Sequence, residues 1–273
     1  MVVFPNCKIN VGLHVVCKRT DGYHDLETVF YPLFLRDALE VIRSEKFSFQ
    51  LSGLPVDGIT ENNLCVKAYH LLKQDFPELP PVSIHLHKAI PMGAGVGGGS
   101  ADGAFMLTLL NDKFRLHLSQ EQLISYALKL GSDCPFFIIN KPCFASGRGE
   151  NLTPVDLDLS SYKIIMVNPG IHVSTKEAFS RLTPSIPKKG VQEIIKQPIT
   201  TWREELKNDF EESVFKSFPA IEDVKKELYE TGAIYAAMSG SGSSVLGIFD
   251  QNATFDFSWP SGYKFYIVNN SDK

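Results

Sequence analysis

The chain has 273 residues, which is enough for one large domain or two ordinary ones. Its apolar content of 44%, charged content of 21% and net charge of −4 are typical of globular proteins and argue against a general binder of nucleic acids or membrane surfaces. No apolar run reaches the roughly 20 residues of a membrane-spanning helix. The five cysteines show no C-x-x-C spacing, and the first residues do not resemble a signal peptide. We therefore expect a cytoplasmic protein with reduced thiols.

The chain opens with a series of strands. Residues from Cys7 to Lys18 alternate apolar and polar side chains, which predicts a half-buried strand. On this pattern alone, Lys8 and Asn10 belong to the solvated face. An Asp-Gly turn then predicts a hairpin, whose second strand runs from Tyr23 to Leu35. Two short strands are predicted between Glu40 and Leu51, so the opening is expected to form an antiparallel sheet.

A helix and a further strand follow. Asn62 or Asn63 can cap a helix that runs to about Lys73. The segment from Val82 to Lys88 alternates again and predicts a strand. Its polar face carries two histidines, but no carboxylate or cysteine pattern accompanies them. We interpret them as exposed strand residues and predict no metal site.

The most informative stretch runs from Pro91 to Leu107. Glycines without a Cβ let a ligand approach the backbone and make positive φ angles accessible. Ser100 can act as the N-cap of the helix that follows. Backbone amides leading into a helix N-terminus form an anion site, so polyphosphate is the expected ligand. The glycines concerned are Gly93, Gly95, Gly97, Gly98 and Gly99.

Three other interpretations of this stretch are weaker. An ordinary surface turn does not need so many glycines, each of which costs backbone entropy. The G-x-x-x-x-G-K-[ST] spacing of a Walker A loop is absent. Gly93, Gly95 and Gly98 do satisfy G-x-G-x-x-G, but Pro91 interrupts the approach and a second helical pattern, Ser119 to Leu130, follows instead of a strand. That order disfavours a dinucleotide-binding fold.

The next segment places an aspartate in a turn. Ser119 and Gln122 predict a capping box for the second helix, which ends at Gly131. Asp133 follows and precedes Pro135 and a short apolar run that we interpret as a buried strand. From the local sequence alone, Asp133 is a turn residue that bonds its own backbone.

The remaining chain predicts a second unit of strands and helices. A strand is expected from Tyr162 to Val167, and Thr175 and Phe179 are four residues apart on one helix face. A helix from Ala220 to Tyr229 ends before a glycine. Two further strands, Ala233 to Met238 and Ser244 to Phe249, flank a glycine-serine loop that contains Ser239, Gly240 and Gly242.

These motifs together resemble one known superfamily. The segment Pro91–Asp102 resembles the phosphate loop of the GHMP kinases, and the loop around Ser239 resembles their third motif. The segment Gly131–Phe137 is similar to the G-[AS]-D-[VI]-P-F-F pattern of one branch of that superfamily, the 4-diphosphocytidyl-2-C-methyl-D-erythritol kinases. The opening combines a Lys-Ile-Asn strand with the turn Asp21-Gly22-Tyr23-His24, which resembles the branch of 4-diphosphocytidyl-2-C-methyl-D-erythritol kinases.

The resemblance implies roles for individual residues. Asp133 is the expected catalytic base and Lys8 the expected charge stabiliser. The expected ATP-binding residues are Pro91, Gly93, Gly95, Gly97, Gly98, Gly99, Ser100 and, for adenine, Asn62. The expected substrate-binding residues are Asn10, Tyr23, His24, Thr175 and Phe179, with Phe179 sandwiching the cytosine opposite Tyr23. Ser239, Gly240 and Gly242 are expected to support the first loop.

The resemblance also implies an architecture and an activity. We expect an α+β fold of two domains, residues 1–155 and 156–273, with mostly antiparallel sheets and the active site in the inter-domain cleft. ATP is the expected phosphoryl donor, accompanied by Mg²⁺ with no assigned protein ligand. The implied acceptor is the 2-hydroxyl of 4-diphosphocytidyl-2-C-methyl-D-erythritol in the non-mevalonate isoprenoid route, in the bacterial cytoplasm. A GHMP kinase for homoserine or mevalonate and a non-catalytic nucleotide-binding regulator remain the alternatives. The oligomeric state is left open.

Overall fold

Three four-stranded sheets carry the fold in this computed structural model, which describes residues 1–56 and 58–269. The strands in that part of the chain are β1 (Val2–Val3), β2 (Asn6–Lys18), β3 (His24–Arg36), β4 (Ala38–Arg43), β5 (Ser48–Gly53), β6 (Val82–Lys88), β7 (Cys143–Ser146), β8 (Asn151–Pro154), β9 (Tyr162–Asn168), β10 (Tyr235–Met238), β11 (Val245–Asp250) and β12 (Lys264–Asn269). The α-helices are α1 (Leu64–Asp75), α2 (Gly98–Phe114), α3 (Gln120–Leu130), α4 (Cys134–Ile139), α5 (Thr175–Ser180), α6 (Val191–Ile194), α7 (Trp202–Glu205), α8 (Phe210–Ser217) and α9 (Pro219–Glu230).

The chain divides into two compact units whose segments alternate along the sequence. The first unit contains Met1–Cys7, Leu35–Met92 and Gly97–Lys141, and the second contains Lys8–Phe34, Gly93–Val96 and Pro142–Lys273. The glycine-rich stretch is therefore shared between the two units. This division does not test the predicted boundary between consecutive domains after residue 155, which stays a prediction.

The first unit combines one sheet with helices α1 to α4. Its strand order is β1-β4-β6-β5. Strand β6 has the predicted bounds and buries Val82, Ile84 and Leu86, which alternate along it. The prediction that the whole opening forms one antiparallel sheet is wrong, because β2 and β3 belong to a different sheet from β4 and β5, and β5 runs parallel to β6. Alternation within a strand does not reveal which neighbour the strand will pair with.

The second unit contains the other two sheets. Their strand orders are β2-β3-β7-β8 and β10-β11-β9-β12, and the pairings of β7 with its two neighbours and of β9 with its two neighbours are antiparallel. The mixture of helices with mostly antiparallel sheets confirms the predicted α+β class. Helices α8 and α9 contribute Phe210, Ile221 and Leu228 to a core that also includes Val167 and Phe249.

Strand β2 is more deeply buried than its sequence pattern predicts. The predicted solvated face is buried, with Lys8 exposed by 4% and Asn10 by 2%. A polar side chain can be buried when it has hydrogen-bond partners. Here His14 Nδ1 lies 3.2 Å from Asp209 Oδ1, and the Asp209 carboxylate also accepts from the amide of Val15. The alternation shows the two faces of the strand, but it does not show that later parts of the chain supply these partners.

Helix caps were predictable where side chains form them. Asn63 caps α1 by accepting from the amide of Cys65, and Ser119 forms the predicted capping box with Gln122. The predicted buried strand after Asp133 is wrong, because these residues form the short helix α4 with Pro135 at its start. A brief apolar run is compatible with either structure, since periodicity alone cannot distinguish a buried strand from a buried helix.

Candidate active site

The first glycines of the phosphate-loop motif adopt left-handed backbone conformations. Gly93, Gly95 and Gly97 have φ angles of 64°, 76° and 71°. A Cβ on Gly95 would lie only 2.0 Å from the carbonyl oxygen of Ser239. At this position, glycine is therefore required both by the backbone conformation and by the close approach of a second loop.

The later glycines form the beginning of α2. Gly97 is the N-cap, and the first intrahelical bond runs from the amide of Ala101 to the carbonyl of Gly97 at 2.9 Å. The prediction that Ser100 is the N-cap is wrong, because Gly98 and Gly99 are already helical and Ser100 lies within the first turn. The amides of Gly98, Gly99 and Ser100 therefore have no acceptor within the helix, and they lie at its positive end. This geometry suits an anion.

The second glycine-serine loop packs directly against Ala94 and Gly95 of the motif. The Ser239 hydroxyl donates to the carbonyl of Gly95 at 3.0 Å, and the amide of Ser244 donates to the carbonyl of Ala94 at 3.2 Å. The Asn208 side-chain amide donates to the carbonyls of Met238 and Gly240 at 2.7 and 2.8 Å. The second loop is thus hydrogen-bonded both to the first glycine-rich loop and to Asn208. Gly242 in the same loop has a φ of 94°.

Lys8 and Asn10 form a buried polar pair on β2. Lys8 Nζ donates to Asn10 Oδ1 at 2.6 Å and lies 4.4 Å from the centre of the Phe30 ring. The Asn10 side-chain amide donates to Thr28 Oγ1 at 3.0 Å, while its backbone amide donates to the Ser239 hydroxyl at 3.2 Å. Asn10 therefore orients the lysine and connects it to the second glycine-serine loop.

Aromatic side chains gather where the cytosine pocket was predicted. The rings of His24 and Phe179 are stacked, with centres 4.8 Å apart and planes inclined by 18°. Tyr23 is 55% exposed, and the Arg148 guanidinium lies 4.8 Å from the centre of its ring. Burial, with a smaller effect of Lys18, lowers the pKa of His24 and favours the neutral imidazole. A base sandwiched between Tyr23 and Phe179 stays a prediction.

Thr175 connects this aromatic cluster to the second loop. It is the first residue of α5, and its hydroxyl lies 3.1 Å from that of Ser241. Phe179 follows one turn later in the same helix, which confirms the predicted spacing. It also packs edge-on against Phe210, with ring centres 4.8 Å apart. Because Phe210 belongs to the hydrophobic core, the aromatic cluster is continuous with that core.

Asp133 and Asn62 belong to the first unit. Asp133 is the residue that precedes α4, and its side chain does not cap that helix. Asn62 ends a short 3-10 helix, and its neighbour Asn63 caps α1. Gly97 to Ser100 lie in the same unit, as do Pro91 and Met92. The predicted proximity of Asp133 to Lys8 stays a prediction.

Sequence reasoning missed two groups of residues. One is Arg148, for which the sequence offers only one indication of a special role, its position between two glycines. The other is a buried cluster of Lys88, Asp37 and Asp102. Lys88 continues the alternation of Val82, Ile84 and Leu86, so the pattern itself places this lysine on the buried face of β6. A lysine at such a position indicates carboxylate partners elsewhere in the chain.

Two features are absent from the part of the chain that the structure describes. In residues 1–56 and 58–269, His, Cys, Asp and Glu form no group of three or more that could hold a metal ion. Over the same residues, none of the helices is both long and apolar enough to cross a bilayer.

Comparison with known proteins connects this geometry to a family. Residues 63–141 match the N-terminal domain of the GHMP kinases and residues 191–255 match their C-terminal domain. A protein from Bacteroides fragilis named 4-diphosphocytidyl-2-C-methyl-D-erythritol kinase is 57% identical over 253 residues, covering 91% of this chain and 92% of the relative. A protein of the same name from Parabacteroides distasonis is 53% identical over 255 residues, covering 93% and 94%.

Solved structures lead to the same family. The crystal structure of a 4-(cytidine 5'-diphospho)-2C-methyl-D-erythritol kinase matches with a TM-score of 0.80 and 31% identity, covering 91% of this chain and 90% of that one. A homoserine kinase from Cytophaga hutchinsonii matches with a TM-score of 0.70 at 16% identity, covering 97% and 94%, and it shows the shared fold only. The chain is an ATP-dependent small-molecule kinase with the GHMP kinase fold, and it belongs to the 4-diphosphocytidyl-2-C-methyl-D-erythritol kinase family.

Proposed function

We propose that this protein transfers the γ-phosphoryl group of ATP to the 2-hydroxyl of 4-diphosphocytidyl-2-C-methyl-D-erythritol, in the non-mevalonate route to isoprenoids. The observation that carries the proposal is the 57% identity, over 91% of the chain, to a relative named for this substrate. The Asp21-Gly22-Tyr23-His24 turn and the stacking of His24 on Phe179 support a pocket for a flat base. We assign the activity to the bacterial cytoplasm.

The ATP phosphates bind at the glycine-rich stretch. The amides of Gly98, Gly99 and Ser100 at the start of α2 supply donors and a positive dipole. Gly93, Gly95 and Gly97 keep the surface of the loop free of side chains, and Ser239 and Gly240 hold it from behind. Asn62 lines the adenine side, and Pro91 belongs to the same ATP-binding set. Phosphoryl transfer depends mainly on such positioning and on charge neutralisation.

Asp133 and Lys8 carry out the chemical step. Asp133 accepts the proton of the acceptor hydroxyl as the oxygen forms a bond to the γ-phosphorus, and the bond from that phosphorus to the bridging oxygen breaks to release ADP. Lys8 places a positive charge beside the transferring group. Its ammonium donates to the amide oxygen of Asn10, which orients it.

The second substrate binds through its cytidine. Tyr23 and Phe179 provide the ring faces that stack on the base, and the lowered pKa of His24 keeps a neutral imidazole that can both donate and accept hydrogen bonds. Thr175 supplies a hydroxyl near the same ring cluster. Asn10 contacts the substrate next to Lys8.

Magnesium fits this site as an ion held mainly by phosphate oxygens. In kinases Mg²⁺ keeps several waters and takes one or two protein carboxylates together with substrate phosphates. The described residues offer no group of three or more metal-ligating side chains, which suits such a site and no preformed cage. When bound, the ion neutralises charge on the phosphates. We assign it no protein ligand.

The proposal is tested by incubating the purified protein with ATP and each of three acceptors separately. Transfer to the cytidylyl substrate, and not to homoserine or mevalonate, is the expected result. Transfer only to homoserine or mevalonate would keep the kinase but remove the cytosine pocket. ATP binding without transfer to any acceptor would identify a regulator that has retained the fold.

A further inference from the structure

A cluster of three charged side chains lies buried beside the start of α2. Lys88 Nζ donates to Asp102 Oδ2 at 2.7 Å and also to Asp37 Oδ2. The side chains of Lys88 and Asp37 are fully buried, and that of Asp102 is 3% exposed. Lys88 ends β6, Asp37 lies between β3 and β4, and Asp102 lies in the second turn of α2. The cluster therefore joins the sheet of the first unit to the phosphate-loop helix.

The cluster lies close to the amides that form the proposed phosphate site. A Cβ on Gly98 would be 3.5 Å from Lys88 Nζ and 2.8 Å from a methyl group of Ile90. The ammonium thus lies against the first residue of the helix. The charge of this cluster acts directly on any anion bound at the N-terminus of α2, because screening by water is weak among buried groups.

The cluster is electrically neutral only if one of its two carboxyl groups is protonated. With all three groups ionised, the cluster has a net charge of −1, beside a helix end that binds an anion. An uncompensated buried charge is strongly unfavourable, and a proton on one carboxyl removes it. The protein environment then determines which carboxyl takes the proton.

The hydrogen bonds distinguish the two carboxyls. Asp37 Oδ1 accepts from the amides of Ala89 and Ile90 at 2.6 and 2.9 Å, in addition to the bond from Lys88. Several donors stabilise the ionised form of a carboxyl. Asp102 Oδ2 accepts the bond from Lys88, a further side-chain hydrogen bond joins Asp102 to Asp37, and Asp102 Oδ1 is buried without a hydrogen-bond partner. The proton therefore belongs on Asp102.

The electrostatic surroundings of Asp102 agree with this choice. Burial raises the pKa of Asp102 to about 8, an effect that Lys88 opposes and Asp37 strengthens. The third titratable neighbour is Cys65 on α1, whose thiol lies 3.5 Å from the Asp102 carbonyl oxygen. Burial also raises the pKa of this thiol, which stays neutral and adds no charge.

We propose that Asp102 is a positioning residue that holds the phosphate-binding end of α2 as a neutral carboxylic acid, and that loss of its proton weakens nucleotide binding. The second part rests on the proposed function, since it assumes that ATP phosphates bind at this helix end. While Asp102 keeps its proton the cluster is neutral. At higher pH, once this proton is lost, the cluster becomes −1 and repels the phosphates, so affinity falls by up to tenfold for each further pH unit.

The first test compares two matched substitutions without any ligand. Asp102→Asn replaces a neutral acid by a neutral amide of the same shape, whereas Asp37→Asn removes a charge that Lys88 needs. We expect urea unfolding at pH 7 to show a midpoint shift at least threefold larger for Asp37→Asn, or no folded Asp37→Asn protein at all. Equal shifts, a larger shift for Asp102→Asn, or failure of Asp102→Asn to fold would overturn the proton assignment.

The second test measures ATP affinity by calorimetry between pH 7 and 9. For the unmodified protein, we expect the dissociation constant to rise by about five- to tenfold over this range, since one proton is linked to binding. For Asp102→Asn we expect a change of less than twofold. The same rise in both proteins would overturn the link to Asp102. If the unmodified protein bound no ATP at pH 7, the phosphate site itself would be wrong, while the unfolding comparison would still decide where the proton lies.

Discussion

Among the residues that the structure describes, two lysines are buried, Lys8 on β2 and Lys88 at the end of β6. Lys8 donates to the amide oxygen of Asn10 and lies over the Phe30 ring. Lys88 lies between the carboxyl groups of Asp37 and Asp102, both almost completely buried. An amide oxygen orients an ammonium group, whereas an ionised carboxyl group also neutralises its charge. The comparison indicates that Asn10 positions Lys8 beside the second glycine-serine loop, whereas Lys88, enclosed by Asp37 and Asp102, stabilises the fold.

The largest expected effect is on stability, at Lys88. Lys88→Met leaves an ionised Asp37 buried without its cation, and breaking a buried ion pair in this way costs about 3–5 kcal/mol. We expect the free energy of unfolding to fall by about that amount in urea titrations near pH 7. Adding Asp37→Asn and Asp102→Asn to the same protein should recover part of the loss. A Lys88→Met protein as stable as the unmodified one would remove the distinction between the two lysines.

The next effect concerns the proposed base. Asp133→Asn should lower kcat by about 10²–10⁴-fold, because a general base contributes about that much, while ATP affinity stays within twofold. Steady-state kinetics with both substrates and calorimetry with ATP provide the two measurements. Asp112 is an exposed aspartate in the same unit, and Asp112→Asn is the matched control. A near-normal kcat for Asp133→Asn would remove the residue from the base position.

Lys8→Met directly tests whether the two lysines have different roles in activity and stability. We expect kcat to fall by about 10²–10³-fold, as for the loss of one group that stabilises transition-state charge. The unfolding free energy should fall by about 1–3 kcal/mol, because the Asn10 oxygen loses its donor. Activity should thus suffer more than for Lys88→Met among molecules that remain folded, and stability less. The opposite ranking would contradict the assigned roles.

The smallest effect is expected at the aromatic cluster. Phe179→Leu keeps an apolar side chain but loses the stacked ring, which is worth about 0.5–1.5 kcal/mol. The KM for the cytidylyl substrate should therefore rise by about two- to tenfold, with the KM for ATP unchanged. Phe265 is 48% exposed, so Phe265→Leu provides a control for a general aromatic-to-leucine change. A rise in both KM values for Phe179→Leu would indicate a structural role for this ring.

Local sequence signals predicted the elements that local residues determine. Strand β6 and the capping box at Ser119 follow from short patterns, and both have the predicted positions. The start of α2 was misplaced because Gly97 caps it through a left-handed backbone and no side-chain oxygen is involved. The apolar run after Asp133 forms the helix α4 and not the predicted strand, because an apolar run of this length is compatible with both a buried strand and a buried helix.

Partners distant in sequence explain what local patterns could not predict. Lys88 and Asp37 are separated by 51 positions, and Asn10 reaches Ser239 across 229. No pattern within a short window can specify such a pair. The candidate site residues were found because they belong to motifs, whereas the cluster around Asp102 belongs to none of them.

The alternation of the two units along the chain has a consequence for synthesis on the ribosome. The last segment of the first unit ends at Lys141, whereas the second unit needs β2 and β3 from the beginning of the chain together with strands as late as β12. Leu13 pairs with Asn208, and the amide of Leu13 donates to the carbonyl of Lys207. The first unit can therefore complete itself while translation continues, whereas β2 waits for residues made almost 200 positions later. During that interval the strand that carries Lys8 lacks its later partners, Lys207 and Asn208.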